Sequence, residues 1–208
     1  MDHPAGPPRR LIVLRHGQTT YNAAGIWQGQ LDAPLSDLGR EQAREAAAAL
    51  ASLGIDTIYA SDLMRAADTA RALGAACGLE PIFDERLREI HVGDWSGMTT
   101  VQVTEQFPDE QSAINDGQDL KRGRTGESVS DVSARLAAFE QDVLAQLDEG
   151  VTVALATHGV TGRALCADLC GMPQGIAWQT LSGLRNCHWA LLVQHRTGWR
   201  IEQWNAHA

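Results

Sequence analysis

The sequence has few cysteines, and none has the spacing of a metal site or a disulfide framework. Its 208 residues include four cysteines, at positions 77, 166, 170 and 187, with no CxxC or HExxH pattern. Cys166 and Cys170 lie one helical turn apart and could share a metal. Small apolar thiols in a reduced protein are the more common interpretation of such a pair. The sequence therefore predicts no disulfide, no metal and no other cofactor.

Long apolar runs and an excess of positive charge are also missing. No apolar run reaches the ~18 residues that a membrane-spanning helix needs. The start, MDHPAGPPRR, has no apolar segment of the signal-peptide type. We therefore expect a cytoplasmic protein in which residues 1–8 form a flexible tail. The formal net charge of −9 argues against nucleic acid and membranes as partners, although a local cluster of arginines can still bind a small anion.

What the sequence does contain is an alternation of buried strands and helices. Apolar runs predict strands at 11–14, 55–61, 79–83 and 150–157, and a terminal hairpin at 188–205. Helical spacing predicts helices from the N-cap Ser36 to the stop at Gly54, over 62–76, over 127–147 and after the fourth strand. Such alternation is typical of an α/β fold, a three-layer sandwich whose mainly parallel central sheet has helices on both faces.

The domain organisation predicted from the sequence is simple. Hydrophobic residues make up 44% of the chain, enough for a sizeable core, and neither a repeat nor a linker is visible. We expect residues 9–208 to form one domain. Between about 99 and 126 the pattern weakens to one short helix near 101–107 and polar sequence, which we interpret as a small cap over the site. Hairpin or strand pairing into a homodimer is the expectation for assembly.

Two of the predicted strands end in His-Gly, at LRHG (14–17) and ATHG (156–159). A third ends at Ser61-Asp62 and opens the helix that carries Arg65. Because the carboxyl ends of parallel strands meet at one edge of a sheet, Arg15, His16, Arg65 and His158 should share a pocket. The planar guanidinium of arginine binds phosphate oxygens through paired hydrogen bonds. Nearby cations also keep the His16 imidazole neutral, with a lone pair free to attack phosphorus. The pattern predicts a phosphoryl site, with Gly17 leaving room for close approach.

Five segments in order carry a resemblance to a known family. They are LRHGQTTYN (14–22), GQLDAPLSDLGREQA (29–43), YASDLMRAADTA (59–70), LREIHVGDWSG (87–97) and ATHGV (156–160). Together they resemble the histidine phosphatase superfamily, also called phosphoglycerate-mutase-like, from about residue 9 to residue 159. Within that superfamily the sequence of these segments, together with the closing WNA, most resembles actinobacterial enzymes of the glucosyl-3-phosphoglycerate phosphatase type.

The resemblance implies a role for each matching residue. His16 would be the nucleophile that becomes phosphohistidine, and His158 would stabilise the transition state. Glu89 would protonate the leaving oxygen and then activate water. The residues that would contact the phosphoryl group or line the substrate pocket are Arg15, Gly17, Asn22, Gln28, Gly29, Arg65 and Gly159.

Each of these residues also has an ordinary interpretation. A lone histidine at a strand end is usually structural, and Arg65 alone would be a solvated helix residue. Glu89 could be a surface carboxylate paired with Arg86 or Arg88, and Asn22 could merely hold a turn. The basic cluster Lys121, Arg122 and Arg124 is either a solvated loop or the partner of a second anionic group on the substrate.

Three functions follow from the resemblance. The favoured one is metal-independent hydrolysis of a small phosphomonoester, such as glucosyl-3-phosphoglycerate or another phosphorylated metabolite. The alternatives are a phosphoglycerate mutase and a catalytically silent module that binds a phosphorylated ligand. Cofactor-dependent glycolytic mutases carry a longer insertion after the acid, with a Tyr, a Lys and an Arg pair. Here IHVGDWSGMTT (90–100) follows Glu89 without that Tyr, which favours the phosphatase.

Overall fold

A computed structural model describes residues 6–208, so residues 1–5 of the predicted tail lie outside the described residues. The strands in this range are β1 (Arg10–Arg15), β2 (Thr57–Ala60), β3 (Ile82–Phe83), β4 (Thr152–Thr157), β5 (Trp189–His195) and β6 (Gly198–Ala206). The α-helices are α1 (Thr20–Ala23), α2 (Asp37–Ala51), α3 (Met64–Cys77), α4 (Thr100–Gln106), α5 (Pro108–Asn115), α6 (Val129–Asp142), α7 (Gly159–Leu169) and α8 (Gln174–Thr180).

The strands form a single mixed sheet in the order β3-β2-β4-β1-β5-β6. The first four run parallel to one another, and β5 and β6 are added antiparallel as the predicted hairpin. The α/β fold with a mostly parallel sheet is therefore confirmed. Because β1 and β4 are parallel neighbours, their carboxyl ends at Arg15 and Thr157 lie side by side.

The two faces of the sheet bury two separate apolar cores. Alternate side chains of β1 point to opposite faces, as the twofold period of a strand requires. Leu11 and Val13 lie in one core with residues of α6 and α7, whereas Ile12 and Leu14 lie in the other with residues of α2 and α3. The strand is thus packed from both sides up to its end at Arg15, directly before His16.

Several element boundaries differ from the predicted ones. The helix predicted over 127–147 begins only at Val129, because Ser128 caps it in a capping box with Asp131. It ends at Asp142 and is followed by a short 3₁₀ turn at Leu144–Gln146. The third strand shrinks to two residues after Pro81, which has no N–H to donate to a ladder. The segment 99–126 contains the predicted short helix as α4 and a second helix, α5.

One half-buried acidic pair between α6 and α7 predicts a pH-dependent stability. Glu140 on α6 and Asp168 on α7 each have a buried oxygen without a partner in the described part of the chain. Burial, and secondly Asp168, raises the pKa of Glu140 to about 7. In the unfolded chain Glu140 loses its proton near pH ~4.3, whereas in the folded chain it keeps the proton up to about pH 7. The protonated side chain therefore contributes to the free energy of unfolding at low pH, and this contribution is lost as the pH rises from ~4.3 to about 7.

We expect Glu140→Gln to remove this pH dependence. Glutamine stays neutral at every pH and carries no charge to repel Asp168, so the variant should melt above wild type at about pH 8, with a smaller difference at about pH 5. Because Glu140 is only half-buried, we expect a gain of about 2–4 °C. Melting curves at both pH values measure it. The matched control is the exposed Glu41→Gln, and an equal gain at both pH values would contradict the account.

Candidate active site

A cavity of about 250 Å³ opens at the carboxyl end of β1, and we call it the His16 cavity. Seven of the predicted site residues line it, namely Arg15, His16, Asn22, Gln28, Gly29, Arg65 and Glu89. Its wall also includes Trp27, Thr100 and Val160, which are not among the predicted site residues. Gly17, His158 and Gly159 lie next to lining residues rather than in the wall itself. Residues from five separate parts of the chain therefore meet at the predicted edge.

His16 is nearly fully buried, at 3% exposure, and its ring orientation is fixed. Its Nδ1 lies 2.7 Å from the carbonyl oxygen of Gly17. A carbonyl only accepts hydrogen bonds, so Nδ1 carries the proton and Nε2 is left with a free lone pair. Burial, and then the neighbouring Arg15 and Arg65 guanidiniums, holds the pKa of His16 well below its usual range. A neutral imidazole with Nε2 unprotonated is the form that can attack phosphorus.

Two arginines flank this imidazole, and both are anchored by backbone carbonyls. Nη1 of Arg15 donates to the carbonyl of Leu184 at 2.6 Å. Arg65, only 1% exposed, donates from Nη1 to Leu31 and from Nη2 to Gly29, at 2.8 and 2.7 Å. Burial lowers the pKa of Arg65 to about 10, which leaves it charged at neutral pH. The interpretation of Arg65 as a solvated helix residue is therefore wrong.

His158 lies fully buried behind His16, with a distance of 5.2 Å between the ring centroids. Its Nε2 lies 2.9 Å from the hydroxyl of Ser61, at the end of β2. Burial, and then Arg65, holds the pKa of His158 well below its usual range. Ser61 thus positions the second histidine, a role that the sequence did not reveal.

Three buried nitrogen atoms around His16 have no hydrogen-bond partner among residues 6–208. They are Nε of Arg15, Nε of Arg65 and Nδ1 of His158. A buried donor left unpaired costs about 1–3 kcal/mol, so the Nε–H groups of the two arginines beside His16 are unfavourable unless a ligand accepts from them. An anion with several oxygens meets that requirement.

Glu89 faces the cavity from the loop before the 3₁₀ turn Gly93–Trp95. Its Oε1 accepts from the backbone amides of Ile90 and Thr161, at 2.9 and 3.1 Å, and from the Thr161 hydroxyl. Oε2 accepts a single bond, from the amide of Val160 at 3.2 Å. The carboxylate is thereby held against the first turn of α7, with Oε2 less engaged than Oε1.

The predicted alternative for Glu89, an ion pair with a neighbouring arginine, is wrong within the described residues. Arg86 binds Asp84 and Asp142, and Arg88 binds Asp62 and Glu85. Glu89 is left facing the cavity rather than neutralised on the surface.

Asn22 and Gln28 are tied to one another through Thr19. Asn22 is the third residue of α1 and closes a capping box with Thr19, so the turn interpretation of Asn22 holds. The Thr19 hydroxyl also donates to Oε1 of Gln28 at 3.0 Å. In both side chains the oxygen accepts from protein donors, which leaves the amide nitrogen available to donate into the cavity.

Two glycines lie beside the site, and their surroundings differ. A Cβ at Gly17 would clash with the carbonyl oxygen of Gly39 in α2, so glycine is needed for close packing of the strand end against that helix. This differs from the predicted reason, which was room for the phosphate. A Cβ at Gly159 would lie 3.6 Å from Nε of Arg15 and 3.8 Å from Oε2 of Glu89, which places Gly159 between these two groups.

The basic cluster does not line the His16 cavity. Arg124 binds Glu110, and Lys121 lies 3.8 Å from Asp131. Arg122, at 2% exposure, lines a separate cavity. Neither of the cluster's predicted roles, a solvated loop or a substrate contact in the His16 cavity, describes Arg122.

Within the part of the chain that the structure describes, no group of three or more His, Cys, Asp or Glu side chains is arranged to hold a metal ion. None of the helices in the same range combines the length and apolar character needed to span a bilayer.

Known proteins are similar to this chain in sequence and in fold. A family model described as the histidine phosphatase superfamily (branch 1) matches residues 11–207. Glucosyl-3-phosphoglycerate phosphatase of Mycolicibacterium vanbaalenii is 43% identical, with 96% of each chain covered. A probable phosphoglycerate mutase (GpmB) of Enterobacter sp. is 34% identical over 94% of this chain and 89% of its own.

A mycobacterial glucosyl-3-phosphoglycerate phosphatase solved with VO3 superimposes with a TM-score of 0.88 at 40% identity, covering 95% of this chain and 99% of its own. Fold, site and sequence together place the chain in the histidine phosphatase superfamily, to which it belongs. Within that superfamily it is a phosphatase, a phosphoric monoester hydrolase, and the phosphatase prediction is confirmed over the mutase alternative.

Proposed function

We propose that this phosphatase hydrolyses a small phosphomonoester in two steps through a phosphohistidine at His16. The observation that carries the proposal is the set of unpaired buried nitrogens of Arg15, Arg65 and His158 around a neutral imidazole. In the transition state of its transfer, a phosphoryl group spreads negative charge over three equatorial oxygens. Hydrogen-bond donors already in place stabilise that charge without reorganising. Asn22 and Gln28 add amide donors at the mouth of the same cavity.

In the first step the Nε2 lone pair of His16 forms a bond to phosphorus while the bond from phosphorus to the ester oxygen breaks. The departing oxygen takes a proton from Oε2 of Glu89, the oxygen with the single long hydrogen bond. The hydrogen bond from Nδ1 to Gly17 stabilises the positive charge that develops on the imidazole.

In the second step water replaces the alcohol. Oε2 of Glu89, now ionised, removes a proton from water, and the oxygen attacks phosphorus as the bond to Nε2 breaks. The electron pair of that bond returns to His16, and inorganic phosphate leaves. The sum of the two steps is ester plus water giving alcohol plus phosphate, with His16 and Glu89 restored. The presence of His16, His158, both arginines and Glu89 argues against a silent binding module.

For the substrate we propose glucosyl-3-phosphoglycerate, the compound in the name of the 43% identical relative. Support comes from the His16 cavity, because Trp27 is one of its lining residues and an aromatic side chain can pack against a sugar ring. We further propose that segment 99–126 serves as the cap, because Thr100 at the start of α4 lies in that wall. The cytoplasmic location and the homodimer stay predictions.

The test is a panel of phosphorylated metabolites with phosphate release as the readout. We expect glucosyl-3-phosphoglycerate to have the highest kcat/KM and the rates to survive EDTA unchanged, since the cationic groups of the site are arginines. Interconversion of 2- and 3-phosphoglycerate in the presence of 2,3-bisphosphoglycerate tests the mutase reaction in parallel. Activity that vanishes with EDTA and returns with Mg²⁺ would overturn the metal-free mechanism, and a higher kcat/KM for another ester would overturn the substrate.

A further inference from the structure

A second cavity, of about 180 Å³, lies at the start of α6 and shares no lining residue with the His16 cavity. We call it the Arg122 cavity. Its wall is formed by residues of the segment before α6, of the first turn of α6 and of α8, including Arg122, Asp119, Gln118, Ser130, Gln174 and Trp178. The volume holds a group considerably larger than one water molecule.

Arg122 is the unusual member of this wall. It is only 2% exposed, yet it forms no ion pair with any acidic side chain among residues 6–208. Nη1 donates to the carbonyl of Leu120, the one hydrogen bond of its guanidinium to described residues. Burial lowers the pKa of Arg122, and the charge of Asp119 offsets this only in part.

The acid nearest to Arg122 is committed elsewhere. Both oxygens of Asp119 accept from the N-terminal amides of α6, one from Val129 at 2.7 Å and the other from Ser130 at 3.1 Å. The hydrogen bonds of Asp119 therefore go to the positive end of that helix, and its charge reaches the Arg122 guanidinium without a hydrogen bond or ion pair.

A second cation strengthens the positive field. The Arg163 guanidinium carbon lies 3.9 Å from the ring centroid of Trp178, and that of Arg122 lies 5.3 Å from the same centroid. Burial, with a further contribution from Arg122, lowers the pKa of Arg163 to about 10. Arg163 also forms no ion pair within the described range. Two guanidiniums thus share one indole, and neither forms an ion pair with a described carboxylate, although Asp119 and Glu89 act on them from a longer distance.

We propose that the Arg122 cavity is a second anion site, separate from the reaction centre, which binds the phosphate or carboxylate of a small metabolite through the free edge of the Arg122 guanidinium. Charge-assisted bonds from a guanidinium fork suit either oxyanion. The wall of Trp178 and Val129 offers an apolar surface to the rest of such a ligand. The proposal does not depend on the substrate of the His16 cavity.

Equilibrium dialysis of the whole chain tests the proposal, with radiolabelled inorganic phosphate in one arm and radiolabelled glycerate in the other. Vanadate, at a concentration that just suppresses turnover, occupies the His16 cavity throughout. We expect wild type to retain one further site per chain for at least one of the two probes. The arm that binds identifies the oxyanion. Absence of binding in both arms would overturn the proposal.

Two variants localise the site. Arg122→Gln should weaken the residual binding by about tenfold or more, since hydrogen bonds to charged groups contribute ~1.5–3 kcal/mol. The matched control is Arg124→Gln, because Arg124 is an exposed residue of the same loop and pairs with Glu110. This variant should bind the probe with wild-type affinity. Turnover of p-nitrophenyl phosphate without vanadate should be equal in all three proteins, which separates this result from the fate of the proposed catalytic function. Wild-type affinity in Arg122→Gln would also overturn the proposal, and the wild-type measurement stands even if this variant fails to fold.

Discussion

Replacing His16 by alanine is expected to lower the turnover of every phosphate ester by about three orders of magnitude or more. Loss of a nucleophile removes the covalent route itself, and single knockouts of such residues are among the largest known effects on kcat. His158 cannot replace His16 as the nucleophile. Nε2 of His16 is free and His16 lines the cavity, whereas His158 is buried behind it against Ser61. Steady-state phosphate release from p-nitrophenyl phosphate measures the effect.

The matched control for this variant is His195→Ala. His195 is an exposed histidine at the end of β5, distant in the sheet from the carboxyl end of β1, and its loss should leave kcat unchanged. Inorganic phosphate should still protect His16→Ala against thermal unfolding, because both arginines remain. Turnover within tenfold of wild type would contradict the nucleophile assignment.

Glu89→Gln is expected to separate good leaving groups from poor ones. An alkoxide needs a proton as it departs, so esters of sugar or glycerate hydroxyls should lose about 10²–10⁴-fold in kcat, the range of general acid catalysis. p-Nitrophenolate leaves without help, so its ester should lose much less at the first step. Glutamine retains an oxygen that can accept from Ile90 and Thr161, which keeps the loop in place.

The comparison needs a control in the same segment, and Glu85→Gln provides one. Glu85 is exposed and pairs with Arg88 at 3.2 Å, so its loss should change neither substrate. Single-turnover rates for both esters, measured in each variant, isolate the first step from release of phosphate. Equal losses on the two esters in Glu89→Gln would argue for a structural role of Glu89 and against the acid.

The strand ends were predictable because they depend on local pattern and on one rule of topology. Apolar runs that stop at LRHG and ATHG place His16 and His158 at the same edge of any parallel sheet, whatever their loops do. Ser36 was recognisable as an N-cap because the signal lies within four residues of chain. Terminal strands β5 and β6 followed from alternation on either side of a tight turn.

Contacts between distant segments had no such signal. Ser61 touches His158 across 97 residues, and the loop that holds Glu89 meets α7 across 71. Whether a carboxylate near two arginines pairs with them or faces a cavity depends on where other acids lie, and Asp62, Asp84 and Asp142 take those arginines here. The burial of Arg122 beneath Trp178 was equally invisible, because a basic run in a polar segment normally indicates a solvated loop.

The central claim is the covalent intermediate, and trapping it is the most direct measurement. Wild-type enzyme turning over radiolabelled p-nitrophenyl phosphate is quenched in alkali, where phosphohistidine is stable, and the labelled peptide is sequenced. We predict acid-labile label on the peptide that contains His16, formed at least as fast as turnover and absent from His16→Ala. Label on a different residue, or turnover without any alkali-stable label despite a burst of p-nitrophenol, would contradict the account.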